Sequence, residues 1–167
     1  MDNHKISFQF ISEPSDINYG GNVHGGVVMK WIDQTAYTCA RSWSGTYCVT
    51  VYVGGIRFYK PINIGEVVRI DAYVIYTGTT SIHIGVDVYS RNFSQNDFEK
   101  KTHCVIVFVS IDEHGKPSKV KEWHPQTARQ KQLEKYAQKL KLLREKIETE
   151  MQPFLSSTPS DFDTDLI

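Results

Sequence analysis

Asn18-Tyr19-Gly20-Gly21-Asn22-Val23-His24-Gly25-Gly26-Val27-Val28-Met29-Lys30-Trp31-Ile32-Asp33 joins a glycine-rich loop to the first turns of an apolar helix. Upstream, Ser12 to Gly21 carries Pro14, Asp16, Asn18 and two glycines, which are turn and loop residues. From about His24 to Arg41 apolar and small residues come as neighbouring pairs: Val27/Val28, Trp31/Ile32, Thr35/Ala36 and Cys39/Ala40. That four-residue recurrence makes a broad stripe on a helix. At about 100° per residue, Asp33 falls off the stripe's centre, near Gly26, Met29 and Tyr37. The spacing turns the acid away from the helix's own packing partner, onto a flank that is open to solvent or to a second subunit. A helix start built of small residues exposes unpaired N–H groups that favour negative charge. A carboxylate buried in an apolar helix is costly unless chemistry uses it. Such donors beside an acid are what hydrolysis of an acyl group requires.

Outward from this helix the apolar period changes to two. Lys5 to Ile11 alternates as a short strand. Val49, Val51 and Val53 alternate with Thr50 and Tyr52, and Gly54-Gly55 predicts a bulge or bend before Ile56 and Phe58. Pro61 to Gly65 is a turn. Val68, Ile70, Ala72 and Val74 lead into a hairpin corner at Tyr76-Thr77-Gly78-Thr79-Thr80. Ile82, Ile84, Val86 and Val88 then alternate with Ser81, His83, Gly85 and Asp87, the pattern of a half-buried strand. Cys104 to Ile111 is nearly continuous apolar sequence, as in a central strand covered on both sides, and turn residues from Asp112 to Pro117 end it. One helix followed by long antiparallel strands describes an α+β domain in which a sheet wraps a central helix. Pro125 opens a last amphipathic helix to about Gln152, with Leu133, Tyr136, Leu140, Leu143, Ile147 and Met151 at spacings of three and four. Either it packs on the domain with a solvated charged face, or it makes an oligomer contact. The division is a domain over 1–124, a helix over 125–152 and a polar, acidic, disordered tail over 153–167.

The chain has 167 residues, enough for one domain with a real core. Lys+Arg and Asp+Glu are equal at 19 each, and the mixed charges around Lys131, Lys135, Lys139 and Arg144 read as a solvated face, which argues against a nucleic-acid binder. Cys39, Cys48 and Cys104 are odd in number and lack metal or redox spacing, so reduced thiols are expected. No signal pattern opens the chain and no apolar run reaches membrane-spanning length, which predicts a cytoplasmic protein without membrane contact. His4, His83, His103, His114 and His124 form no ligand pattern, so no metal is expected.

Four segments, in order, resemble the hot-dog fold acyl-CoA thioesterases, in particular the acyl-CoA hydrolase family related to the brain-type long-chain enzymes. They are Asn18…Gly21-Asn22-Val23-His24-Gly25-Gly26…Asp33, Phe58-Tyr59-Lys60-Pro61…Gly65-Glu66, Tyr76-Thr77-Gly78-Thr79-Thr80-Ser81, and Val109…Asp112-Glu113…Gly115-Lys116-Pro117. The resemblance implies a hot-dog homodimer, commonly a trimer of dimers, with active sites at subunit interfaces. It implies hydrolysis of acyl-CoA to free CoA and a carboxylic acid, with coenzyme A part of the substrate and no separate cofactor. Asn18 and Asp33 match the family's catalytic pair. The backbone around His24, Gly25 and Gly26 matches the region receiving the thioester carbonyl, and Gly78, Thr80 and Ser81 match the hairpin that contacts CoA's nucleotide end. Similar proteins often read Thr-Gly-Arg-Thr-Ser there, whereas this chain has Thr79 in place of the arginine, leaving Lys60 or Arg91 as substitutes.

Fold alone does not select the reaction. Related dehydratases resemble a His-plus-acid pair that moves protons near neutrality, and Asn18 cannot titrate. The expected roles are Asp33 as general base on water or as nucleophile, Asn18 as orienting amide, and the Gly25 and Gly26 N–H groups as oxyanion donors. Plainer roles compete. Asn18 is a common turn former, Asp33 could pair with Lys30 or Arg41, His24 suits a hydrogen bond at the helix start, and Asp16 is a reserve carboxylate. The alternative function is a non-catalytic acyl-CoA binding or sensor module on the same scaffold.

Overall fold

The computed structural model describes residues 3–155. The alternating residues Ile82, Ile84, Val86 and Val88 build β4 (Ser81–Arg91), and all four are fully buried. Its neighbours are β3 (Val67–Thr77) and β5 (Glu99–Ile111), with β1 (Lys5–Ile11) and β2 (Tyr47–Phe58) at the edges. The five strands form one antiparallel sheet in the order β1-β3-β4-β5-β2. β2 slips register between Gly54 and Arg57, where Gly55 takes φ 67°, so the glycine pair does interrupt the ladder.

Helix α1 (Gly25–Ser44) lies on the inner face and buries Val28, Ile32, Thr35, Ala36, Cys39 and Ala40. It packs with Val68, Ile70, Val86, Ile106 and Phe108 in the main core, each such side chain contributing about 1.5–3 kcal/mol. The helix runs past Arg41 because its stop signal is Gly45, left-handed at φ 73°, whose N–H donates to the Arg41 carbonyl at 2.9 Å. Cys39, Cys48 and Cys104 are free, and burial pushes the Cys39 and Cys104 thiols up to about 12.

The alternation in β4 predicts one wet face, but His83, Gly85 and Asp87 are buried too. The second helix, α2 (Ala128–Leu155), is the reason. Leu133, Ala137 and Leu140 pack on Ile75 and Val105 across the outer face. α2 starts after Thr127 rather than at Pro125, because Thr127 and Gln130 form a reciprocal cap. The Gln130 N–H donates to Thr127 Oγ1 at 3.2 Å and the Thr127 N–H to Gln130 Oε1 at 3.0 Å. It also ends later than expected, so Pro153, Phe154 and Leu155 are helical; the rest of the expected tail lies outside the described residues.

Under α2 the Asp87 carboxylate is matched by three partners. Asp87 accepts from Lys100 Nζ at 2.6 Å and Tyr73 Oη at 2.8 Å, and lies 2.7 Å from His103 Nδ1. Burial alone would raise its pKa, but His103, Lys100 and Tyr73 outweigh that and hold the carboxyl far below its usual range.

Candidate active site

The loop between β1 and α1 is tied down by the β2–β3 turn. The Gly65 N–H donates to the Ser12 carbonyl and the Ser12 N–H to the Glu66 carbonyl, both at 3.0 Å. The Glu66 carboxylate accepts from Ser90 Oγ at 2.5 Å and Asn63 Nδ2 at 2.8 Å. Burial works to raise its pKa, and these donors turn the net shift downward. The Val23 N–H donates to the Ile62 carbonyl and the His24 N–H to the Asp16 carbonyl, both at 2.8 Å, which fixes where α1 begins. The Asp16 carboxylate accepts from the Glu13 N–H at 2.9 Å and is occupied in that local turn.

On this frame the Asn18 side chain folds back. Its Oδ1 accepts from the N–H groups of Gly20 at 2.8 Å and Asn22 at 3.1 Å, so the turn-forming role is real. An amide so bonded has only its Nδ2 protons left to offer. His24 is the helix N-cap, its Nδ1 accepting from the Gly26 N–H at 3.0 Å. The expected pair of glycine donors is therefore unequal. Gly26 is committed to His24, while the Gly25 N–H meets no acceptor among the described residues.

Asn18, Asn22, Val23, Gly25, Val28, Phe58, Lys60 and Lys101 are among the residues lining a cleft of about 300 Å³. Its rim is cationic but balanced: Lys101, largely buried, donates to Glu99 Oε2 at 2.7 Å, and Lys60 pairs with the other oxygen. These lysines, Lys101 first, hold the exposed Glu99 carboxyl low.

Asp33 does not line that cleft. It is half-buried on the flank of α1, as its angular position predicts, and accepts from Thr50 Oγ1 of edge strand β2 at 3.0 Å. It makes no ion pair with Lys30 or Arg41 among the described residues. Along the helix axis Asp33 lies about 12 Å from Gly25. One chain alone thus separates the acid from the amides. Thr50 gave no signal in the sequence, being one threonine in an alternating strand.

The β3–β4 hairpin closes with the Gly78 N–H on the Ser81 carbonyl at 2.9 Å. A Cβ at Gly78 would stand 2.6 Å from Ser81 Oγ, so a larger residue there would have to turn that hydroxyl aside. The segment after β5 straps this corner, the Val120 N–H donating to the Thr79 carbonyl at 3.0 Å. A second cleft, about 480 Å³, opens beside Tyr76–Thr79 and is lined by Lys119, Val120, Glu122 and Lys141. Lys60 and Arg91, the expected substitutes for an arginine at position 79, sit at the opposite end of the sheet, since Arg91 pairs with Val67 and Ser81 begins β4. Arg91 donates to the Gln95 carbonyl at 2.9 Å and covers the Phe98 ring. Within one chain the cations at the hairpin are Lys119 and Lys141, which no local motif could have pointed out. No group of three or more His, Cys, Asp or Glu side chains able to hold a metal occurs among the described residues. No helix among them is long and apolar enough to cross a membrane.

A family model described as the thioesterase superfamily matches residues 20–92, the loop, α1 and the strands through β4. An uncharacterized acyl-CoA thioester hydrolase of Buchnera aphidicola subsp. Schizaphis graminum is 36% identical over 117 residues, which are 67% of this chain and 85% of the relative. A hexameric acyl-CoA thioesterase solved without ligand superposes with a TM-score of 0.83 at 28% identity, over 86% of this chain and 92% of the other. The acyl-CoA hydrolase of Staphylococcus aureus, solved with butyryl-CoA, CoA and CoA disulfide, gives 0.84 at 26% identity, over 90% and 92%. That hydrolase has also been solved with an aspartate, and separately a threonine, replaced by alanine. The interval between those two positions equals that between Asp33 and Thr50. Sequence and fold agree, and the chain belongs to the thioesterase superfamily.

Proposed function

We propose that this protein hydrolyses acyl-CoA to free CoA and a carboxylic acid, with Asp33 as the general base or nucleophile. The observation that carries the assignment is the Thr50–Asp33 hydrogen bond, which holds the acid at the unpaired edge of β2. Relatives and structural neighbours named as acyl-CoA hydrolases support the substrate class.

The site is completed by a second copy. β2 exposes Val51 and Val53, and one of its edges has no strand beside it among the described residues. Thr50 and Phe58 flank Gly54, and Phe58 contacts Gly25, where an added Cβ would lie 3.8 Å from its ring. Antiparallel pairing of two β2 strands about a two-fold near Gly54 sets Asp33 of one copy opposite Gly25 of the other. The thioester oxygen then meets the Gly25 N–H and the Asn18 Nδ2, while Asp33 activates the attacking water from across the interface. His24 fixes the helix start, and Gly26 permits that cap. CoA's nucleotide end lies along Gly78, Thr80 and Ser81, with Lys119 and Lys141 opposing its phosphates. The hexameric neighbour supports further assembly of these dimers.

Release of free thiol from acetyl- to palmitoyl-CoA tests the assignment, with Asp33→Asn as the variant. Turnover should fall about a thousandfold, the scale of a lost positioned base, while CoA binding and fold persist. Binding without release by the unaltered protein would favour the sensor reading, and an active Asp33→Asn would overturn the role of the acid.

A further inference from the structure

α2 is longer than the sheet it covers. It enters over β3, where Leu133 and Tyr73 line one cleft, and reaches β2 where the Arg144 guanidinium lies 5.0 Å from the Tyr52 ring. From Leu133 to Arg144 the helix rises about 16 Å, and β3 to β2 spans three strand spacings, about 14 Å. The helix therefore crosses the sheet and arrives at its edge at Arg144. From Glu145 to Leu155 it runs on for about another 16 Å with no strand among the described residues beneath it.

The overhang keeps the pattern of the part that packs. At about 100° per residue Leu133, Ala137, Leu140 and Arg144 share one face, and Ile147, Met151 and Leu155 continue it. Those three are 52%, 45% and 64% exposed. A stripe that serves to cover a sheet thus extends past the edge where this chain's sheet stops. The surface that would continue the outer face beyond β2 is the same face of a second copy joined at β2.

We propose that the C-terminal third of α2 is a reciprocal clamp: Ile147, Met151 and Leu155 pack on the outer sheet face of the partner in the β2-edge dimer. The clamp rests on that dimer but adds a separate contact, made twice by the two-fold, remote from Asp33 and Gly25. It gives the apolar run after Arg144 an occupant and ties dimer strength to a segment outside the hydrolytic site.

The test uses the full chain carrying Ile147→Asp with Met151→Asp, with Leu142→Asp as control. Leu142 is 66% exposed on the opposite side of the helix. Sedimentation equilibrium over a dilution series should show the double variant's dimer dissociation constant raised about a hundredfold, the loss expected for two buried anchors. Activity per chain should be lost at correspondingly higher protein concentration, and Leu142→Asp should match the unaltered protein. The single variant Met151→Gln should give a smaller shift in the same direction, which keeps the test intact if the double variant folds poorly. Unchanged dissociation of the double variant, or equal weakening by Leu142→Asp, overturns the clamp. So does a double variant that stays dimeric and loses only higher assembly, which would place the stripe between dimers. If the unaltered chain is active as a monomer, the composite site fails and the clamp with it. If it is an active dimer that the stripe substitutions leave intact, the clamp alone fails.

Discussion

Acidification should destabilise this fold through His83 before the Asp87 or Glu66 carboxylate gives way. The ring stands on the outer face of β4, 2% exposed, in a small cavity shared with Tyr52, Val105, Val107, Leu140, Lys141 and Arg144. Burial first, then the Arg144 and Lys141 charges, lowers its pKa from 6.5 to about 4. The unfolded chain therefore binds more protons than the native one between those values, and stability falls as pH falls through that window. The shift corresponds to about 3 kcal/mol in full, of which about 2 kcal/mol is lost by pH 5. Asp87 and Glu66 are held low and keep their charge in this range. Urea unfolding at pH 7.5 and 5.0, at one protein concentration, measures the loss. The comparison is with His83→Leu, which fills the same apolar cavity without titrating. Groups common to both proteins cancel, so the unaltered chain should lose about 2 kcal/mol more than the variant. Equal losses would refute the account, because they would show that native His83 accepts its proton as readily as the unfolded chain does.

Two other outcomes follow from particular contacts. Thr50→Val keeps the shape of the strand but removes the hydroxyl on Asp33, so kcat should fall about tenfold with KM little changed. Thr50→Ser should restore much of the rate, and a Val variant at full rate would dismiss the positioning role. Gly85→Ala should destabilise by about 1–3 kcal/mol in urea unfolding. The new Cβ would stand 2.7 Å from the Tyr73 ring, which cannot swing away while its hydroxyl donates to Asp87 at 2.8 Å. A variant as stable as the parent would show that the ring can move.

Much of the architecture was legible residue by residue. The paired apolar positions from Val27 to Ala40 predict α1 and its buried face, because a helix brings every third and fourth residue to one side. The same count placed Asp33 on the flank. Strand β1 was expected over the residues it occupies, since alternation is a local property of the pleat. β4 reads as half-buried from its own residues because nothing within it announces a helix arriving from beyond residue 127. The periodicity predicts an end near Gln152, whereas α2 runs on with Pro153, a residue that usually stops helices, inside its last turn.

The order of turns, strands and helices, and the apolar side of each, were determined by the sequence alone, because they depend on neighbours within a few residues. Only the tertiary structure decided that Thr50 holds Asp33, that His24 occupies the Gly26 amide, and that Lys119 and Lys141 rather than Lys60 and Arg91 stand at the hairpin. The strand pairings and the path of α2 set those contacts. They depend on which distant segments the chain brings together to bury its apolar surface, and no local periodicity records that choice.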